Sequence, residues 1–142
     1  MLISEILHKK SRSVFTMSPN DSVEDAIGMF KEKKIGAITI CNIRGALVGI
    51  LKERDVLHSQ AEIGAETFKL KIEEIMSLVH ICKPDDDVKS VLRKMTLNYV
   101  RHVPAVADGK LIGMISIGDI VKYQLDEAQL EIDTLRDFVR SH

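Results

Sequence analysis

The residues best placed to do chemistry lie in short clusters, and the clearest is Ser116-Ile117-Gly118-Asp119. A hydroxyl and a carboxylate three positions apart at a helix start form a capping pair, each satisfying an orphan backbone donor. The same geometry suits a sugar-phosphate. Free amides and a hydroxyl at a helix N-terminus attract phosphate, and a neighbouring carboxylate accepts from both hydroxyls of a ribose diol. Both readings stand at this level. Upstream, Arg101-His102-Val103-Pro104 brings a planar fork of donors suited to phosphate. Its imidazole either donates to that phosphate or packs at a strand start. The uncharged stretch Gly36-Ala37-Ile38-Thr39 has small residues that would let a flat ring approach the backbone closely.

The elements that must position these groups are written twice. Pro19 to Ile27 returns as Pro84 to Leu92, 65 positions later (19 to 84), and Leu47-Val48-Gly49-Ile50-Leu51 with Asp55 returns as Leu111-Ile112-Gly113-Met114-Ile115 with Asp119. A repeat of this length sets the architecture. In the first copy Val14-Phe15-Thr16 predicts a short strand, and Ser22 caps a helix whose apolar face is Val23, Ala26, Ile27 and Phe30. Val88, Val91, Leu92 and Met95 repeat that face, with Asp87 as N-cap. Two β-rich runs follow each helix, around Asn42-Ile43-Arg44-Gly45 and around Asp108-Gly109, and then a second helix starts at about Glu53 and about Ile117. Pro104 cannot donate to a ladder, which puts its strand at an edge or at its beginning. The unit is β-α-β-β-α twice, an α/β (α+β) fold of two repeats packed as a pseudo-twofold pair. A short helix at residues 2–8 precedes it, and a long helix ends it. The domain reading is 1–70 for the first repeat with helix and connector, 71–125 for the second, and 126–142 for the terminal helix. The stretch from Ala61 to Lys71 reads as an irregular connection and Ile72 to Met76 as a turn of helix.

At 142 residues the two halves are each marginal alone and are expected to share a core. A net charge of −1 gives no electrostatic reason to expect nucleic acid or an anionic membrane. No apolar run approaches the roughly 20 residues a membrane span needs, and the N-terminus lacks a basic leader before an apolar stretch. Cys41 and Cys82 have no metal or redox spacing and read as reduced, half-buried strand residues, so a cytoplasmic protein is expected. His8, His58, His80, His102 and His142 show no metal-ligand spacing, and no nucleophile motif or Walker loop appears, which argues against an enzyme.

Val121, Leu125, Ala128, Ile132, Leu135 and Val139 follow a 4-3-4-3-4 spacing, a heptad seam. The helix that carries them either folds back on its own domain or associates with a second copy. Extended past the body it would expose its stripe, so a homodimer is the expectation.

On the paired helices, Arg101-His102-Val103-Pro104, Gly113-Met114-Ile115-Ser116-Ile117-Gly118-Asp119 and the first-repeat version Gly49-Ile50-Leu51-Lys52-Glu53-Arg54-Asp55, the chain resembles a tandem pair of cystathionine-β-synthase (CBS) domains, a Bateman module of stand-alone bacterial type. The resemblance covers about residues 1–125. It implies a non-catalytic regulatory module that binds adenosine-containing ligands, AMP, ADP, ATP or NAD(H), with S-adenosylmethionine ranked behind them, in clefts between the repeats. Ser116 and Asp119 would contact phosphate and ribose, and Asp55 the ribose of the first cleft. Arg54 and Arg101 are implied phosphate partners, and Thr16 and Ile81 would line the adenine pocket; Gly36, Ala37, Ile38, His102, Val103 and Pro104 are the remaining candidate nucleotide-binding residues. Lys52 stands where the family has Ser or Thr, so it either meets phosphate as a point charge or points into solvent, and the two clefts are expected to differ. Thr39 replaces the Pro seen at 104. A module with degenerate clefts, whose main asset is the heptad seam, is the competing reading. The regulated protein is unknown.

Overall fold

A computed structural model describes residues 1–10 and 14–141. Helix α1 (Ile3–Lys9) precedes strand β1 (Thr16–Met17), helix α2 (Val23–Lys33), the hairpin β2 (Ala37–Cys41) and β3 (Leu47–Lys52), and helix α3 (Glu53–Ile63). Two 3₁₀ turns, Gly64–Lys69 and Ile72–Glu74, lead to helix α4 (Val88–Leu97), the hairpin β4 (His102–Ala107) and β5 (Lys110–Ser116), and the 25-residue helix α5 (Ile117–Ser141). The connection expected to be irregular is therefore largely helical.

The helices begin where the side chains dictate. Ser22 Oγ accepts from the Asp25 amide at 3.0 Å and Asp87 Oδ2 from the Ser90 amide at 3.3 Å. Each cap stabilises its helix by about 1 kcal/mol. In α2, Val23, Ala26 and Phe30 are buried; in α4, Val88, Val91 and Met95 are.

Strand β1 lies parallel to β2, and β2 pairs antiparallel with β3. It begins at Thr16, two residues later than the sequence suggests. In the second repeat the equivalent strand shrinks to one parallel bridge, Cys82 to Ala105, beside the antiparallel β4–β5 pair. There the Cys82 amide donates to the Pro104 carbonyl at 2.9 Å, and Pro104 needs no donor of its own on that flank. Register shifts fall at equivalent places, between Ile40 and Cys41 and between Ala105 and Val106. The shorter second hairpin turns on Asp108 and Gly109, both at positive φ (51° and 75°), as a two-residue connection requires.

The leading segment of each repeat packs on the other one. Ile3 and Ile6 of α1 join Val88, Val91, Met95, Val103, Ile115 and Ile120 in one core. Ile72, Leu70, Ile75 and Met76 sit with the core of Val23, Ala26, Ile38, Ile40 and Leu51 in the other. Paired backbone bonds fix the exchange: the Ile3 amide donates to the Asp86 carbonyl and the Ile72 amide to that of Asp21, both at 2.9 Å. The Ser4 and Glu73 amides likewise reach Pro84 and Pro19. This is the pseudo-twofold in hydrogen bonds, and it binds each half into the core of the other.

Candidate functional site

The β4–β5 register sets His102 opposite Ser116, and the Ile117 amide donates to the Arg101 carbonyl at 3.0 Å. The first repeat does the same with Ala37 opposite Lys52 and the Glu53 amide on the Gly36 carbonyl. These two hairpin mouths face each other: a Cβ on Gly36 would come within 3.9 Å of His102 Cε1. Between them opens a cavity of about 750 Å³, within the range that encloses a nucleotide-sized ligand. Gly36, Ala37, His102, Ser116 and Asp119 line it.

At the start of α5 the capping pair is closed. Asp119 Oδ2 accepts from the Ser116 amide at 2.9 Å, and Ser116 Oγ accepts from the Asp119 amide at 3.0 Å. Asp119 Oδ2 also receives the Lys10 ammonium at 2.7 Å, and the same Nζ donates to the Met114 carbonyl. Oδ1 accepts nothing from any described residue. Burial pushes the Asp119 carboxyl up, but Lys10 and the Ser116 donors outweigh it and hold the group below its ordinary value. Asp119 is thus a carboxylate with one oxygen held and one without a partner among the described residues, on a side chain that lines the cavity. Burial pushes the His102 imidazole down, against the opposing pull of Asp119, and favours the neutral ring.

The cleft of the first repeat is built differently. Asp55 Oδ2 caps α3 through the Lys52 amide at 2.9 Å, while Oδ1 takes the Ser77 hydroxyl at 2.8 Å. Ser77 itself bridges Ile50, the two exchanging backbone bonds at 2.9 and 3.1 Å. Both oxygens of this carboxylate are engaged. Lys52 is half-buried at the cap position.

The other residues singled out in the sequence scatter. Ile38 and Val103 are core residues with no exposed surface, and Pro104 is buried in β4. Thr16, Arg54, Ile81 and Arg101 are exposed and do not line the cavity, and Ile81 precedes the bridge rather than ending a strand. The cavity adds residues that were not anticipated: Lys9 and Lys10 from α1, Phe15, Lys34, Lys122 and Tyr123. Only Lys34, two residues before Gly36, had a local signal. The α1 residues arrive by the exchange between repeats, which no spacing in the chain reveals.

Helix α1 is tied to α5 beside this cavity. The Tyr123 hydroxyl donates to Glu5 at 2.7 Å, and Lys9 lies 4.8 Å from the Tyr123 ring centre and 3.5 Å from Glu127. Past Tyr123, α5 leaves the body: Leu125, Ala128, Ile132, Leu135 and Val139 are all exposed, as is Val121 nearer the body.

Among the described residues no group of His, Cys, Asp or Glu could hold a metal ion; His142 lies outside them. Cys41 is half-buried, and burial drives the Cys82 thiol up to about 12, far from the thiolate that reactivity requires. No helix among the described residues is long and apolar enough to cross a membrane.

Comparison with known proteins gives the same picture. The chain is similar to CBSX3, a mitochondrial CBS domain-containing protein of Arabidopsis thaliana, at 29% identity across 97% of this chain and 71% of that protein. Its fold is similar to the CBS-domain containing protein ATU1752 from Agrobacterium tumefaciens, with a TM-score of 0.83 and 33% identity over 87% of this chain and 92% of the other. It is also similar to the CBS domain pair of protein MJ0100, solved with 5'-methylthioadenosine and S-adenosyl-L-methionine (TM-score 0.79, 27% identity, 89% and 98% covered). It shares the fold of PAE2072 from Pyrobaculum aerophilum, solved with AMP (TM-score 0.76, 20% identity, 84% and 89% covered). The CBS domain model matches twice, at residues 3–62 and 72–126. With two matched repeats, a shared fold and the hairpin mouths facing each other, the chain belongs to the CBS-domain family as a tandem pair.

Proposed function

We propose that this chain is a non-catalytic regulatory module that binds one adenosine-containing ligand in the cavity beside Asp119. The observation that carries this reading is Asp119, which lines a cavity of about 750 Å³ at the start of α5 and whose Oδ1 has no partner among the described residues. A ribose diol would donate to that carboxylate, and the adenine would lie towards Phe15, Ile35 and Ala37, which offer an apolar wall. Phosphate would meet the Ser116 hydroxyl, which accepts from the Asp119 amide and still has its own proton to donate. The ligands solved with MJ0100 and PAE2072 share the adenosine part, which supports the class of ligand.

The seam of α5 favours a homodimer as the working form. A helix leaving its body has no tertiary packing to support it, and lone helices of about 12–15 residues are marginal in water. The 4-3-4-3-4 stripe gives a second copy of α5 a surface to cover. In this arrangement α5 joins the cavity at one end to the subunit contact at the other, so a ligand that prefers one setting of α5 would alter what a partner protein meets.

Melting the protein with AMP, ADP, ATP, NAD, NADH and S-adenosylmethionine tests the reading. A ligand at 100 times its Kd raises stability by about 2.7 kcal/mol, which is about 5–11 °C for a chain of this size. Asp119→Ala is expected to remove the shift, and Asp55→Ala to leave it while costing about 1–2 kcal/mol through its lost cap and Ser77 bond. A flat response to every ligand would leave a scaffold whose function rests on α5.

A further inference from the structure

Resting on the adenosine reading above, we propose that the cavity is built for a nucleoside triphosphate, with Lys34 and Lys122 as the residues that hold its outer phosphates. Four lysines line this one cavity, from three elements: Lys9 and Lys10 at the end of α1, Lys34 just past α2, and Lys122 in α5. Their engagements differ. Lys9 is held by Glu127 and the Tyr123 ring, and Lys10 by Asp119 and the Met114 carbonyl. The Lys34 and Lys122 ammonium groups have no hydrogen-bond or ion-pair partner among the described residues. The acidic groups on the wall are Asp119 and Asp126. His102, disfavoured as a cation by burial, adds little positive charge.

A ribose on Asp119 changes this balance. Its two hydroxyls compete with the Lys10 ammonium for the carboxylate, and a freed Lys10 joins Lys34 and Lys122 around whatever extends from the ribose. A monophosphate is already served by the Ser116 hydroxyl and Lys10. The remaining two cations, partly offset by Asp126, have work only for a longer anionic chain. The same charges disfavour a sulfonium ligand, which would bring a positive charge into a ring of lysines. The arginines that the repeat pattern offered, Arg54 and Arg101, stay outside this wall, and among the described residues its permanent cations are lysines.

Calorimetric titration of the full chain with AMP, ADP, ATP and inorganic tripolyphosphate, without magnesium, tests this. ATP is expected to bind about tenfold or more tighter than AMP at low salt, the gap narrowing as salt rises, because exposed lysines are screened. In the Lys34→Met/Lys122→Met double variant the ATP-to-AMP ratio is expected to fall towards one. Lys34→Gly provides a variant that folds at least as well, since position 34 has φ 54° and ψ 47°, a left-handed cap that glycine adopts without strain. Equal affinity for AMP and ATP, a ratio unmoved in both variants, or S-adenosylmethionine binding tighter than ATP would overturn the proposal. The two readings fail separately. Binding of tripolyphosphate with no nucleotide preference over it would keep the lysine subsite and sink the ribose assignment. Adenosine ligands that bind alike whatever their phosphate count, with tripolyphosphate inert, would do the reverse. Silence from every probe would overturn both.

Discussion

Asp55 and Asp119 occupy the same place in two copies of one design, yet only Asp119 keeps an oxygen open. Each caps its helix by accepting from the amide three residues earlier, at 2.9 Å in both. The difference comes from what the other repeat sends across. Beside Asp55 the crossing segment is Met76-Ser77, which pairs with β3 and closes the carboxylate with a hydroxyl. Beside Asp119 it is α1, which stays helical through Lys9 and reaches the carboxylate with the long side chain of Lys10. A hydroxyl locked by a backbone bridge is hard to displace; a lysine ammonium that is still a quarter exposed can turn to phosphate instead. Duplication fixes where the acid stands, and the exchanged segment decides whether a ligand can use it.

The largest test of this comparison is in the cores. Ile3 and Ile72 hold equivalent places and both have no exposed surface. Ile3→Ala and Ile72→Ala are each expected to cost about 2–5 kcal/mol in denaturant unfolding, nearly equal to one another. A much smaller loss for Ile3→Ala would mean that α1 is only loosely part of the second core, and the symmetry of the crossing would be lost.

A sharper contrast is expected at the glycines beneath the crossings. A Cβ on Gly49 would meet Met76 Sδ at 2.7 Å and the Ser77 carbonyl at 3.1 Å; on Gly113 it would meet Leu7 Cδ2 at 2.5 Å. The Leu7 methyl is the end of a side chain and can turn aside, whereas the Ser77 carbonyl is backbone held in a bridge. Gly49→Ala is expected to cost about 1–3 kcal/mol and Gly113→Ala less, read from thermal unfolding. The opposite order would place the rigid crossing at α1.

The smallest expected effect is pH dependence through His102. Its folded pKa is depressed by burial, so just below the ordinary value of 6.5 the unfolded chain takes up a proton that the folded one does not. Stability from this source is present above about pH 6.5 and is lost on acidification, until the depressed value is passed. Unfolding curves from pH 7.5 to 5 for the natural chain and His102→Leu should diverge in that window. Parallel curves would show that His102 is as well solvated in the folded chain as in the unfolded one.

Much of this was legible in the chain. The 65-residue repeat, the caps at Ser22 and Asp87, the Ser116–Asp119 pair and the start of α5 at Ile117 are local features, and each lies where its side-chain pattern puts it. The pair at Ser116 and Asp119 is both a cap and part of the cavity wall, so the two readings of it were never exclusive. What periodicity could not supply was depth. Ile38 and Val103 each follow a cavity residue, Ala37 and His102, and turn into the cores, as the alternation along a strand requires. The lysines of α1 reach the cavity from over 100 positions away along the chain, a contact with no local trace.

The exchange of leading segments also has a cost in time. Helix α1 leaves the ribosome well before Val88, Val103, Ile115 and Ile120, which bury Ile3 and Ile6, are made. Until then its two isoleucines have no native neighbours, and contacts spanning nearly the whole chain are slow to close. The nascent protein must therefore keep α1 waiting, unburied, until β4, β5 and the start of α5 have been made.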